Sequence, residues 1–166
     1  YVMKKLFFSL ALSLIAAFVF VACENPVEPQ PKPQTEDFDV VIHDVSRGTV
    51  RFSVTPKDND MDYLCVVYEK ADVEEFTRDE FLIQSIFMEI ESEASNKGKT
   101  LEEYMPEVVD RGKIDHVSFS GLQNDTEHYI IVFGVDVEGG CKATTDVMKK
   151  EFKTVNVPSL VCDFRV

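Results

Sequence analysis

The chain has 166 residues, 45% hydrophobic and 11% aromatic, which is enough for one ordinary domain with a well-formed core and too apolar for a disordered polymer. Its 30 acidic residues against 17 basic ones give a formal charge of -13, a surface that repels phosphate backbones and argues against nucleic-acid binding. Cys65, Cys141 and Cys162 show no metal-ligand spacing, and a disulfide among them is permitted outside the cytoplasm without being required.

Residues 1–22 read as an export signal. Lys4-Lys5 precede an almost unbroken apolar run from Leu6 to the small residue Ala22, and Met3 is the expected start behind a short extension. An uncleaved membrane anchor is the alternative, because the run approaches the length that spans a bilayer. The ending Phe20-Val21-Ala22-Cys23 resembles a bacterial lipobox, with Phe20 where Leu is more usual. That resemblance implies that Cys23 is acylated, with palmitate among its chains, and becomes the new N-terminus. The expected address is then the cell envelope, lipid-anchored at the outer membrane and either surface-exposed or periplasm-facing, with the bilayer itself as first partner.

Residues 23–36 follow as a tether. Four of the seven prolines fall here, so the segment is expected to be semi-extended at about 3.1 Å per residue, long enough to hold a domain roughly 40 Å from a lipid surface.

The domain is expected over 37–155. Phe38, Val40 and Ile42 alternate with Asp39, Val41 and His43, and Val50, Phe52 and Val54 alternate with polar neighbours, giving two half-buried strands. Asp62 to Glu69 differs, with Tyr63, Cys65 and Val67 on one face and Leu64, Val66 and Tyr68 on the other. A strand apolar on both faces needs a cover on each.

Helical periodicity supplies the cover. Leu82, Ile83, Ile86, Phe87, Ile90 and Ala94 recur at helical spacing opposite Glu89, Glu91 and Glu93, which predicts a helix from about Asp79 to Ser95, opened by a capping box of Thr77 and Glu80. Thr100 with Glu103 repeats the cap ahead of a second, short helix that Pro106 bends or interrupts. The other use of the apolar stripe is a groove for a partner or a membrane.

Val117 and Phe119 mark another half-buried strand, and Asn124-Asp125-Thr126 is turn chemistry. From His128 to Val137 the run is again apolar on both sides, Ile130 and Val132 against Tyr129, Ile131, Phe133 and Val135, before Gly139-Gly140 closes it. Leu122, Thr126, Ile130, Val132, Gly134 and Gly139 together resemble strand F of a fibronectin type III module, with His128 where the family carries its corner tyrosine and Tyr129 one step later. The resemblance implies a mainly β fold, an Ig-like (fibronectin type III-like) sandwich. Asp62 to Glu69 then becomes strand C, and a helical insertion at about 72–110, between strands C and E, packs on one sheet. The family usually has a Trp near Val54, and this chain has none, so Phe and Val must fill that core. Val147 to Thr154 reads as the last strand, with Phe152 inward. Residues 156–166 read as a linker or the start of a truncated second module, since Asp163-Phe164-Arg165-Val166 echoes Asp37-Phe38-Asp39-Val40.

No nucleophile elbow, phosphate loop or metalloprotease signature is present, so no catalytic residue, enzyme activity or cofactor is expected. Asp58, Asp60, Asp62 and Glu69 have calcium-loop spacing, but Tyr63 stands where the sharp-turn Gly belongs, and a solvated turn is favoured. His43, His116 and His128 share no metal spacing, and His43 and His116 are expected to be ordinary outward strand residues. Two loops remain as binding candidates, Asp58, Asn59 and Asp60 in one and Glu138, Gly139, Gly140 and Cys141 in the other, with Cys141 expected to accept a label. The expected role is a non-catalytic binding, adhesion or spacer module facing an unknown protein or glycan. The alternatives are the N-terminal spacer of a larger exported hydrolase and a glycan-binding accessory of nutrient uptake.

Overall fold

The computed structural model describes residues 37–156, which form one compact unit. The signal, Cys23, the tether, Cys162 and the tail echo lie outside the described residues. Among the described residues no helix is long and apolar enough to cross a membrane.

The fold is mainly β and every strand pair is antiparallel. Strands β1 (Phe38–Val45), β2 (Thr49–Pro56) and β5 (Ile114–Ser120) form one sheet, with β2 in the middle. The second sheet centres on β3 (Asp62–Glu69) and β6 (Glu127–Asp136), paired from Tyr63↔Gly134 to Glu69↔His128. Two-residue β4 (Asp110–Arg111) pairs with the start of β3, while β7 (Lys142–Ala143) and β8 (Met148–Lys153) pair with opposite ends of β6.

The sheets meet in a sandwich-like core. Phe38, Val40, Val50, Phe52 and Val54 face Tyr63, Ile130, Val132, Met148 and Phe152, all buried. Phe52 and Tyr63 are the largest fully buried side chains there, with Tyr63 edge-on to Phe38 at 5.4 Å and its hydroxyl donating to the Gly112 carbonyl at 2.8 Å. The alternation read from the sequence therefore assigns the inward side of β1, β2 and β5.

The outer face of the β3/β6 sheet is covered, as its apolar composition requires. Helix α2 (Asp79–Asn96) turns Leu82, Ile86, Ile90 and Ala94 inward, in one buried cluster with Leu64 and Val66 of β3 and Ile131, Phe133 and Val135 of β6. Phe87 meets Phe133 edge-to-face at 6.0 Å. Burying four such helix side chains contributes several kcal/mol at about 1.5–3 kcal/mol for each large one. Two shorter helices flank it, α1 (Lys70–Glu74), which buries Val73, and α3 (Leu101–Val108), which buries Tyr104 and Met105.

The helix starts divide. The Thr100–Glu103 capping box forms in both directions, Glu103 N donating to Thr100 Oγ1 at 3.3 Å and Thr100 N to Glu103 Oε2 at 3.0 Å. The Thr77–Glu80 box does not form. Arg78 takes the N-cap in extended conformation with no side-chain cap, and its Nε donates to Glu80 instead. Asp79, in the first turn, is held by Lys149 of β8 at 2.7 Å, so a tertiary ion pair fixes this end of α2. Pro106 lies inside α3, which runs past it and stops two residues later.

At the start of β6, His128 is buried and stacked on Phe152 at 5.3 Å. Its Nδ1 lies 2.9 Å from the Thr126 carbonyl, and since a carbonyl only accepts, that nitrogen carries the proton. Thr154 N bonds the same carbonyl and its hydroxyl donates to Gln123 O, tying the corner to the end of β8.

Candidate functional site

The two candidate loops do meet. The β2–β3 connection and the β6–β7 connection lie at the same end of the sandwich, around an open cleft of about 470 Å3 lined by Asp58, Asp60, Asp62, Asp136, Glu138 and Arg111 among others. Turn chemistry sets each wall. Asp58 Oδ1 accepts from Asp60 N at 2.9 Å, closing a small side-chain turn, and Asp136 Oδ1 accepts from Gly139 N at 2.8 Å in the facing loop. A side chain at Gly139 would meet the Asp136 carboxylate and push it out of this turn.

Arg111 is the single cation in the cleft lining. Its Nε and Nη2 donate to the two carboxylate oxygens of Asp62, both at 2.7 Å, a planar two-bond pair that also raises the guanidinium pKa. The pair joins β3 to β4 and neutralises one acid, leaving Asp58, Asp60, Asp136 and Glu138 to set the sign of the field. An acidic cleft of this kind favours a cationic group over an anionic one. Asp62 is thus committed to Arg111 and not to a calcium loop, and among the described residues no group of three or more His, Cys, Asp or Glu is placed to hold a metal ion.

Of the residues singled out in the sequence, Asp58, Asp60 and Glu138 line the cleft, while Asn59, Gly139 and Gly140 are exposed beside it. Cys141 corrects the expectation of an accessible thiol. It is 5% exposed, its backbone turns through a φ of 54°, and its Sγ points back to the Val137 carbonyl within the cluster under the helices. Burial pushes its pKa up, and the nearby acids Glu102 and Asp136 add to the effect. Cys65 likewise has its pKa raised by burial, then by Asp110, so neither thiol is poised as a nucleophile.

Arg111, Asp136 and Thr144 belong to the cleft but were not anticipated. Arg111 follows a helical segment with no strand periodicity. The local signal for it is the turn Asp110-Arg111-Gly112, where Gly112 has a φ of 68°.

The opposite end of the sandwich is built differently. A shallow cavity of about 370 Å3 is bordered by Lys70, Glu74, Asp125, Glu127 and Lys153. Its cations are already paired, Lys70 with Glu127 at 3.3 Å and Glu151 at 2.8 Å, and Lys153 with Asp125 at 2.8 Å. Comparison with family models, characterised proteins and solved structures finds no match.

Proposed function

We propose that this chain is a lipid-anchored envelope lipoprotein whose fibronectin type III-like, Ig-like domain acts as a non-catalytic binding or adhesion module, with the acidic loop end as its contact surface. One observation carries the reading: loops from two separate connections, joined by Arg111, converge on one open cleft. The strand orders β1-β2-β5 and β4-β3-β6, with β8 on the free side of β6, support the module assignment, and the helices then constitute an insertion between its strands C and E. The partner chemistry that fits is a protein or glycan bearing positive charge, with no nucleic acid involved.

Two experiments test it. Exchanging residues 57–61 and 137–140 for Gly/Ser sequences of equal length should abolish retention on glycan arrays and immobilised matrix proteins, and retention that survives the exchange rejects the loop assignment. Metabolic labelling with an alkyne fatty acid should mark the wild type and not Cys23→Ser, and an unlabelled wild type rejects the anchor.

A second reading, a spacer, is favoured by where the chain enters and leaves the domain. Asp37 O accepts from Lys57 N at 2.8 Å, beside the loop end, while Val155 N donates to Ser46 O at 3.1 Å at the far end of β1. At about 3.3 Å per residue the two points stand roughly 30 Å apart along β1. Such a spacer would serve a larger exported hydrolase, or a glycan-binding accessory of nutrient uptake.

A further inference from the structure

The solvent-facing side of the β1-β2-β5 sheet holds a feature that the loop end does not explain. Its central strand, β2, points Val50, Phe52 and Val54 inward, so Ser53 is an outward position, yet it is only 6% exposed. Its cover comes from the edge strands. His43 of β1 places Nε2 at 3.0 Å from Ser53 Oγ, and the ring of His116 from β5 lies 5.8 Å from that of His43, tilted by 46°.

The backbone departs from regular pairing at all three residues. The β1–β2 ladder slips between Ile42 and Asp44, at His43. The β2–β5 ladder slips between Phe52 and Val54, at Ser53, opposite His116, whose φ is 62°. Each slip leaves two consecutive residues exposed on an edge strand, His43-Asp44 and Asp115-His116, where regular alternation would bury one of them. Bulges re-aim side chains, and positive φ is uncommon in a residue with a Cβ. Here both act to bring two imidazoles from non-neighbouring strands together.

We infer that His43 and His116 form a two-imidazole clamp for a divalent late transition metal, with Ser53 as a positioning residue. A metal about 2.1 Å from one nitrogen of each ring sets ring centroids roughly 4.5–6.4 Å apart, according to the angle at the metal. The observed 5.8 Å lies within that span. Nickel, copper and zinc accept neutral imidazole. In the tautomer with the proton on Nε2, His43 donates to Ser53 Oγ and keeps the Nδ1 lone pair for the metal, the arrangement by which a supporting hydrogen bond orients a ligand ring. Two protein ligands make an open site, so water or a group from solution completes the coordination. Sequence spacing did not display it because the pair is assembled across a sheet.

Calorimetric titration of the full chain with Ni2+ tests the inference, because nickel binds imidazole without oxidising the thiols. One saturable site is expected, weakened about a hundredfold in His43→Gln and in His116→Asn by loss of the chelate. Asn is chosen at 116 because it tolerates positive φ. Ser53→Ala should weaken binding about tenfold. In 1H–15N spectra Ni2+ should broaden amides around 43, 53 and 116 and spare those around 58 and 138. Absence of a saturable site, equal affinity in the doubly substituted chain, or broadening centred on the acidic loops overturns the clamp. If a variant loses its circular dichroism signature, the wild-type broadening pattern decides alone.

Discussion

Ile86→Ala measures whether α2 is part of the core or an outer layer on an already complete domain. Ile86 is 2% exposed, in one cluster with Leu64, Val66, Ile131 and Phe133, so truncation removes nearly all of a side chain's buried surface. Three carbon groups at about 0.8 kcal/mol each give roughly 2.4 kcal/mol of lost transfer energy. The cavity left under a helix pinned at one end by Asp79–Lys149 adds to this, for about 3–4 kcal/mol in all. Met88, on the same helix but 69% exposed, is the internal control, and Met88→Ala should change stability by under about 0.5 kcal/mol. Urea unfolding followed by circular dichroism should show one transition for all three proteins, with only the Ile86→Ala midpoint falling. Equal midpoints for both variants, or a separate early loss of helix in the unsubstituted chain, would refute the account of α2 as the roof of the β3/β6 sheet.

Other substitutions probe the loop end and the buried groups. Gly134→Ala sets a Cβ 2.5 Å from Thr144 Oγ1 and 2.7 Å from Met61 Sδ at the floor of the cleft, and should cost about 1–3 kcal/mol in urea unfolding. Maleimide should modify Cys141 only after denaturant is added, as read by peptide mapping, because burial withholds its thiol and raises its pKa, keeping thiolate scarce at neutral pH, and half-buried Cys65 should react slowly for the second reason alone. Asp110 is half-buried and desolvation raises its pKa above 3.8, so the folded chain holds that proton more tightly than the unfolded one. Its contribution to stability is full below that unfolded value and is lost as pH rises through the folded one, and Asp110→Asn should gain relative to wild type between pH 4 and pH 7 in matched urea curves.

Strand identity was legible wherever burial follows a period of two, and the two-faced apolar composition of β3 and β6 by itself called for a cover. The misses have a common cause. Thr77 matched a local cap pattern, but the start of α2 is fixed by Lys149, a residue far along the chain that no local rule weighs. Helix α1 is five residues with one buried side chain, too short to show a period. Cys141 sits in a Gly-rich loop that reads as solvent-facing, and only the overlying helical layer makes its side chain internal. Arg111 and the His43–His116 pair likewise depend on register between strands, which alternation does not specify when a bulge intervenes.

The same double-sided burial restricts where a partner can act. Helices occupy the outer face of the β3/β6 sheet, which leaves the outer face of the β1-β2-β5 sheet and the two ends. The cleft end is shared with the incoming chain at Asp37, and the far end has its lysines tied into ion pairs. A ligand at the proposed cleft shares its end of the domain with the chain entry at Asp37, whereas a partner on the histidine face does not. Lengthening the segment before Asp37 with Gly/Ser residues separates the two cases: it should increase capture of bulky ligands by the cleft and leave metal binding at His43 and His116 unchanged.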